Sequence, residues 1–173
     1  MVMIDPDARR QRARRWVTRT LAAGLAVVGI VGLTTAPASA AMTCTGRPDS
    51  NTCLWIDGIG NGLFRVHVGI DVHMSLAAAQ EYIDDAGDPF SVVVFGDDGG
   101  GADQALFIVP LIALGASTES GLSGDFETVV PGSALNEDPG QADEIRARVL
   151  LIDTDLNRVT GTYLSNQLSG NWG

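Results

Sequence analysis

The stretch FRVHVGIDVHM, residues 64–74, decides the fold class. Its apolar residues occupy every second position from Phe64 to Met74, and the residues between them are Arg, His, Gly, Asp and His. Because successive side chains of a β-strand point to opposite faces of the sheet, this strict alternation predicts a strand with one buried and one outward face. Both histidines of the chain lie on the outward face, so the same stretch raises the question of a metal or catalytic site.

Six further segments are predicted as strands by their apolar or alternating residues and by the turn residues between them. They are residues 54–57, 90–95, 104–111, 125–130, 144–153 and 158–164. Segment 90–95, FSVVVF, is apolar on both faces, which is typical of a central strand. Pro110 indicates an edge strand or a strand end, because proline cannot donate to the ladder. Segment 113–124, ALGASTESGLSG, is small and polar and is predicted as a long loop, and the tail through Trp172 as a small edge segment.

One short helix of about eleven residues is predicted after the second strand. Ser75 is a suitable N-cap, Leu76, Ala79 and Ile83 recur on one face, and Gly87 suits the position beyond the last turn. Seven strands with one inserted helix favour an all-β fold, an antiparallel β-sandwich of Greek-key type. A small closed barrel is the alternative.

The first 40 residues are predicted to be a cleaved export signal, which leaves residues 41–173 as a single secreted domain. Six arginines begin the segment, 13 apolar residues follow at 21–33, and Ala38-Ser39-Ala40 is typical of a cleavage site. Such a run is too short for a bilayer, which takes about 20 residues. We therefore expect an extracellular protein without a permanent membrane anchor after cleavage, exported by either the general secretory or the twin-arginine route.

The mature segment is strongly acidic. Residues 41–173 contain 19 acidic residues, five arginines and no lysine, for a formal net charge of −14. A surface of this charge repels phosphate groups, so nucleic acids and anionic lipids are disfavoured as partners. The same surface attracts cations, including Ca²⁺.

Two cysteines, Cys44 and Cys53, lie close together near the start of the mature segment. No histidine lies beside them, which argues against a zinc site or a protease dyad. In an oxidising compartment an isolated pair of this kind is expected to form a disulfide.

Three acidic segments are candidates for calcium ligation, since Ca²⁺ takes six to eight oxygen ligands from flexible loops. Glu137-Asp138 and Asp143-Glu144 bracket one of these segments. The predicted Ca²⁺ ligands come from the other two, and they are Asp97, Asp98, Asp103, Asp153, Asp155 and Asn157. The alternative interpretation is turn chemistry, because Asp, Asn and Gly are the residues that β-turns use.

The run Asp153-Thr-Asp-Leu-Asn157 begins like an EF-hand loop but does not continue as one. Arg158 stands where that loop needs glycine, and Leu164 stands where it needs glutamate. The segments VLLIDTD (149–155) and VVVFGDD (92–98) resemble strand ends of C2-type calcium sandwiches. That resemblance, which covers only these two segments, implies aspartates that meet at one end of the fold.

The two histidines are expected to lie apart. His67 and His73 are six residues apart on one strand, which places their Cα atoms about 20 Å from each other. Asp71 and His73, about 7 Å apart, could supply two metal ligands if a neighbouring strand supplied a third. An outward polar face is the preferred interpretation. No catalytic residue is assigned, and Asp125 occupies the position where a Gly-x-Ser-x-Gly elbow needs glycine.

The leading hypothesis is a secreted, non-enzymatic β-sandwich that binds an extracellular protein, a polysaccharide or Ca²⁺ through its acidic loops. Trp55 and Trp172 are candidate aromatic contacts, although Trp55 is expected mainly in the core. One alternative is an extracellular hydrolase with a histidine–carboxylate site at His67, His73 or Asp71. Another is a secreted protease inhibitor that presents segment 113–124 as its reactive loop.

Overall fold

The computed structural model describes residues 40–97, 104–137 and 141–172. These residues are mostly in β-strands, which all pair antiparallel, and they include one α-helix. The strands are β1 (Ala41–Cys44), β2 (Ser50–Gly60), β3 (Leu63–Val72), β4 (Phe90–Gly96), β5 (Gln104–Val109), β6 (Leu111–Ser117), β7 (Gly121–Pro131), β8 (Asp143–Asp153), β9 (Arg158–Leu164) and β10 (Leu168–Gly170). Helix α1 (Leu76–Asp84) follows β3, and a single 3₁₀ turn (Gly132–Ala134) follows β7.

The strands form two antiparallel sheets. Sheet A has the order β1-β2-β3-β7-β6, and sheet B has the order β10-β8-β4-β5, with β9 also paired to β8. Strands β9 and β10 share one edge of β8, because they pair with residues 148–153 and 143–145 respectively while β4 occupies the other edge. Strand β4 lies between β5 and β8, which confirms the central position predicted from its apolar residues.

One hydrophobic core contains inward side chains from both sheets. Strand β3 contributes four of them in strict alternation, as its sequence predicts: Val66, Val68, Ile70 and Val72. Sheet B contributes Val92 and Val94 from β4 and the alternate residues of β8. A core shared in this way is compatible with the predicted sandwich.

The turn between β2 and β3 is set by its glycines and asparagine. Asn61 and Gly62 both have positive φ, at 55° and 71°, as a two-residue turn of the type found in tight hairpins requires. The pairing shifts between Gly58 and Gly60, which also has positive φ. This hairpin brings Trp55 directly opposite His67.

Helix α1 begins where the sequence predicts and is shorter than expected. The Ser75 hydroxyl accepts a hydrogen bond from the Ala78 amide at 3.2 Å, which confirms the predicted N-cap. The helix has nine residues rather than about eleven and ends before Asp85, whose backbone is extended. It packs against β6 and β7, and Ala79 is its buried residue.

Segment 113–124 is not a loop, contrary to the prediction. It contains most of β6, a three-residue turn at 118–120 and the start of β7. Its small residues carry little hydrophobic alternation, so the pairing of β6 with β7 is not visible in the sequence. Strand β1 was also not predicted, whereas β10 lies in the tail that was predicted as a small edge segment, and the described residues contain ten strands.

Pro110 separates two strands of different sheets. Strand β5 is an edge of sheet B and β6 is an edge of sheet A, so the chain crosses between the sheets at this residue. The prediction of a strand end is confirmed. The carbonyl of Pro110 still accepts a hydrogen bond from the Glu127 amide at 3.2 Å, which attaches the crossing to β7.

The two tryptophans of residues 41–173 have the opposite of their expected environments. Trp55 lies on the outer face of sheet A and is 45% exposed, whereas Trp172 is 6% exposed. Trp172 packs edge-on against Phe64, with 5.7 Å between ring centroids. The expectation that Trp55 is mainly a core residue is therefore wrong.

The disulfide is present between Cys44 and Cys53, as predicted. The two residues are directly opposite each other in the β1–β2 pair, so the disulfide holds the short edge strand against its neighbour. Among the residues described above, no helix is both long enough and apolar enough to span a membrane.

Candidate functional site

The two segments that carry the predicted calcium ligands lie at opposite ends of sheet B. Strands β4 and β8 are antiparallel, with Gly96 opposite Ile145. Asp153 is eight residues farther along β8, which corresponds to about 26 Å. Asp97 therefore does not meet Asp153, and Asp98 and Asp103 lie outside the described residues. Among the described residues, Asp97 and Asp153 thus do not form the single cluster implied by the resemblance to C2-type sandwiches.

Asp97 is part of an ion pair. A terminal nitrogen of Arg146 lies 3.0 Å from Asp97 Oδ2, and the same guanidinium donates two hydrogen bonds of 3.1 Å to the Ser165 carbonyl. The Asp97 amide donates to the Glu144 carbonyl at 2.8 Å. These contacts neutralise Asp97 and join the end of β4 to β8 and to the segment after β9.

The acidic segment before β8 is partly buried. Asp143 is 1% exposed, and its Oδ1 accepts a hydrogen bond from the Glu137 amide at 2.9 Å. The Glu137 carboxylate lies over Gly96, where a Cβ atom would overlap it. These carboxylates shape the end of sheet B, and Asp138 lies outside the described residues.

At the other end of β8, the β8–β9 turn and helix α1 enclose a cavity of about 490 Å³, which we call the acidic cavity. It is lined by Glu81, Tyr82 and Asp85 from or beside the helix, and by Asp153, Asp155 and Leu156 from the turn, together with Ala78. Two of the predicted calcium ligands are therefore brought to one site with two carboxylates that the sequence analysis did not select. A cavity of this volume is in the range of small-ligand sites.

The turn that carries Asp153 and Asp155 is held by its own hydrogen bonds. Asp153 Oδ1 accepts from the Leu156 amide at 3.0 Å, which is typical of aspartate in turns. Asn157 adopts a left-handed conformation with φ 46°, and its amide donates to the Thr154 carbonyl. Asn157 thus stabilises the turn and does not line the acidic cavity. Asp155 does line the cavity, and its side chain is exposed to solvent.

A tyrosine connects the helix to sheet B at the wall of the acidic cavity. Tyr82 Oη lies 2.9 Å from Thr160 Oγ1 on β9. Thr160 Oγ1 in turn donates to the Leu151 carbonyl at 3.3 Å. These contacts position α1 relative to β8 and β9, so the acidic residues of helix and turn face a common space.

The acidic cavity has an unfavourable concentration of negative charge. Partial desolvation, together with repulsion first from Asp155 and then from Asp153, Glu81 and Asp84, raises the pKa of Asp85 above the ordinary aspartate value. The helix dipole also disfavours negative charge here, because Asp84 and Asp85 lie at the negative C-terminal end of α1. A cation placed in this cavity would relieve that repulsion.

The carboxylates of the acidic cavity do not converge on a point. Across residues 40–97, 104–137 and 141–172, no group of three or more His, Cys, Asp or Glu side chains is close enough to hold a metal ion. The site therefore presents a negatively charged space rather than a set of ligands around one position.

The histidines and Asp71 lie in three separate environments. His73 Nδ1 is 2.9 Å from the Pro48 carbonyl oxygen, and Asp71 Oδ1 accepts a hydrogen bond of 2.6 Å from Ser123 on β7. Asp71 and His73 thus have other partners than a shared ion. His67 is part of a different group, described next.

A second cavity, of about 280 Å³, lies on the outer face of sheet A. It is lined by Trp55 and Asp57 of β2, Arg65 and His67 of β3 and Glu127 of β7, a group that we call the Trp55 surface. The His67 ring lies edge-on to Trp55, with 5.9 Å between centroids. Its Nε2 is 3.4 Å from Asp125 Oδ1, and its Nδ1 is 3.7 Å from Glu127 Oε2. Glu127 also lies 3.5 Å from the Arg65 guanidinium.

Most of the Trp55 surface could not be predicted from the sequence. The alternation of β2 indicates which of its residues lie on the same face as Trp55. The other neighbour of β3 in the sheet is β7, which is far along the chain. Which residues of β7 face His67 follows only from the pairing register, with Glu127 directly opposite.

The fold and its sites define a predominantly β protein of two antiparallel sheets with one disulfide, an acidic cavity at one sheet end and a polar–aromatic surface on the other sheet. Comparison with family models, with curated proteins and with solved structures finds no match for the chain. Its function is therefore argued from the sites themselves.

Proposed function

We propose that the chain is a secreted, non-enzymatic binding protein that takes a cationic group of an extracellular partner into the acidic cavity. The observation that supports this is the placement of Glu81, Asp85, Asp153 and Asp155 around one space of about 490 Å³. Four carboxylates there favour a positively charged ligand, and the net charge of −14 on residues 41–173 attracts such a ligand over a longer range.

The size of the acidic cavity favours a cationic side chain or polyamine over a bare ion. A Ca²⁺ site needs six to eight oxygens at about 2.3–2.6 Å from one point, and the described carboxylates are not grouped in that way. An arginine or lysine side chain, by contrast, reaches several carboxylates along its length and lets its apolar stem contact Leu156 and Tyr82.

The proposed setting is extracellular, and the proposed framework is a Greek-key β-sandwich. The Cys44–Cys53 disulfide is of the kind that persists in an oxidising compartment. Two antiparallel sheets with a common core support the sandwich. Binding at a helix and a turn beside a rigid sheet is the usual placement of recognition sites on such frameworks.

The test is calorimetric titration of the protein with spermine, with an arginine-rich peptide and with Ca²⁺, each at low and at physiological salt. We expect binding of spermine or the peptide that weakens as salt rises. In Asp155→Asn the affinity should fall about fivefold, because one carboxylate at the cavity is lost. If Ca²⁺ alone binds, it should stabilise the fold by about 2.7 kcal/mol at 100 times its Kd.

Glu119→Gln is the matched control, since Glu119 is exposed on the turn between β6 and β7 and its loss changes the net charge equally. An equal loss of affinity in both variants would mean that only the overall charge matters and would contradict a site at the acidic cavity. Binding of neither cation nor peptide would also contradict it. Saturable binding of Ca²⁺ alone would replace the cationic partner with the ion predicted from the sequence.

The fold does not favour the protease-inhibitor alternative. Segment 113–124 would have to be an accessible loop for a protease to engage it, and most of it is paired as β6 and β7. For the hydrolase alternative, His67 lies beside Asp125 and Glu127, whereas His73 and Asp71 have other partners.

A further inference from the structure

The Trp55 surface combines an exposed aromatic ring with hydrogen-bonding side chains held in fixed positions. Trp55 is 45% exposed although it lies in the middle of an eleven-residue strand of a five-stranded sheet. On the neighbouring edge strand, Met42 lies directly opposite Trp55 and is 61% exposed. The outer face of sheet A thus offers an apolar strip where a strand normally presents polar side chains to water.

The polar side chains of the surface hold one another in place. Register puts Trp55, His67 and Glu127 in one row across β2, β3 and β7, and Asp57 and Arg65 in the adjacent row. Glu127 contacts both Arg65 and His67, and Asp125 contacts His67 from the other side. Because Arg65, His67 and Glu127 are each in contact with a neighbouring side chain, little of their side-chain entropy is lost when a ligand binds.

The framework below this surface is also constrained. Cys53 lies two residues before Trp55 on the same face, and its disulfide ties β1, and with it Met42, to β2. Gly69 pairs with Cys53, and a Cβ at this position would lie 3.5 Å from Asp125 Oδ1 and 4.0 Å from His67 Nε2. The Trp55 surface therefore forms a groove that is partly open to solvent rather than an enclosed cavity.

The chemistry of the groove matches a neutral polyol. A sugar ring has an apolar C–H face that packs on an indole and hydroxyl groups that both donate and accept hydrogen bonds. The groove supplies the indole, a guanidinium donor at Arg65, and carboxylate acceptors at Asp57 and Glu127. With more carboxylates than cations here, and −14 over residues 41–173, the charge is unfavourable for uronic-acid or sulfated chains.

We infer that the Trp55 surface is a binding site for a neutral polysaccharide, with a sugar ring stacked on Trp55 and its hydroxyl groups bonded by Arg65, His67 and Glu127. Because the groove is partly open to solvent, the polymer can continue beyond the stacked ring. This site lies on sheet A, away from the residues of the acidic cavity, so it does not depend on the function proposed above.

The test is native gel electrophoresis of residues 41–173 through gels that contain a soluble β-glucan, amylose, a mannan or polygalacturonate. We expect retardation by at least one of the three neutral polymers and none by polygalacturonate. In Trp55→Ala the retardation should weaken about tenfold, because the stacked ring is lost. In Glu127→Gln it should weaken less, since the amide keeps one acceptor oxygen.

Two controls separate binding from folding. Ile108→Ala removes a side chain that is 70% exposed on β5 of the other sheet, and it should leave retardation unchanged. The buried Trp172 is the remaining tryptophan of residues 41–173 in Trp55→Ala, so its fluorescence reports whether that variant is folded.

The inference is overturned if no neutral polymer retards the folded wild-type chain, or if folded Trp55→Ala is retarded as strongly as the wild type. Equal loss in Ile108→Ala would overturn it too, because the effect would then be unspecific. Asp155→Asn should bind polysaccharide normally, so failure at the acidic cavity is distinguishable from failure at the Trp55 surface.

Discussion

At the residue scale, the acidic positions differ according to their partners. Asp97 is neutralised by Arg146 and Asp71 is bonded to Ser123, whereas Asp85 faces other carboxylates. All three are aspartates in or near turns, and their sequence neighbours do not distinguish them. Of these three aspartates, only Asp85 is repelled by neighbouring carboxylates, and a bound cation would reduce that repulsion.

Asp85 should destabilise the fold when it is ionised. Its folded-state pKa is raised, so the folded protein binds this proton more tightly than the unfolded chain does. The stability associated with this proton is fully present below the ordinary aspartate pKa and is lost as pH rises through the raised value. We therefore expect Asp85→Asn to have a higher Tm than the wild type at pH 7 and the same Tm at pH 3, as measured by circular dichroism.

Asp88→Asn is a control for this effect, since Asp88 is exposed three residues away and is not among the groups that raise the pKa of Asp85. A gain in Tm that persists unchanged at pH 3 would show that the amide stabilises the helix end for another reason.

At the element scale, glycine decides where the β6–β7 hairpin can form. Gly121 begins β7 with φ 78°, and an added Cβ would lie 2.2 Å from the Val72 carbonyl oxygen and 2.6 Å from the Met74 amide nitrogen. The backbone of β7 thus passes the end of β3 at a distance that no side chain permits. By contrast, a Cβ added to Gly115 on β6 would have no atom within 4 Å.

Gly121→Ala should therefore cost about 3 kcal/mol of unfolding free energy, from the left-handed backbone and the overlap together. Gly115→Ala, in the partner strand of the same hairpin, should change it by less than about 0.5 kcal/mol. Urea denaturation followed by tryptophan fluorescence measures both. Similar values for the two variants would indicate that the close approach of β7 to β3 is not maintained in solution.

At the scale of the whole molecule, the disulfide stabilises the fold because it lowers the conformational entropy of the unfolded chain. It closes a segment with a sequence separation of 9 between Cys44 and Cys53. By loop-closure entropy, its loss in Cys44→Ala/Cys53→Ala should reduce the unfolding free energy by about 2.5–3 kcal/mol. Chemical denaturation of the wild type with and without reductant should give the same difference, and a much smaller one would mean that β1 contributes little to the cooperative unit.

The first strand of the described residues begins at the predicted cleavage site. Strand β1 begins at Ala41, the residue that follows Ala38-Ser39-Ala40. Expression of the full chain in a secreting host should release a protein whose N-terminal residue is Ala41, as mass spectrometry can determine. Replacement of Ala38 and Ala40 by leucine should leave the export signal attached, because small residues are required at the cleavage site.

The local features of the fold follow from the sequence, and the sites follow only in part. Strict alternation identified β3 and β8, and Ser75 identified the start of α1, because these signals depend on near neighbours in the chain. The pairing of β6 with β7 was not predicted, because the Ala, Gly and Ser residues of this segment have no marked preference for β-strands. For the acidic cavity, the sequence indicates two of the four carboxylates, because Asp153 and Asp155 are two residues apart in one acidic segment, whereas Glu81 and Asp85 lie in and just after a helix that is distant in the chain.

The sequence alone determined the predominance of β-structure, the disulfide and the negative charge, since each depends on residue type or short-range spacing. The tertiary structure decided which side chains share a site. Antiparallel pairing of β4 with β8 placed Asp97 and Asp153 at opposite ends, and pairing of β3 with β7 placed Glu127 beside His67. Register between strands that are far apart in the chain is set by the packing of the whole core, and no local pattern encodes it.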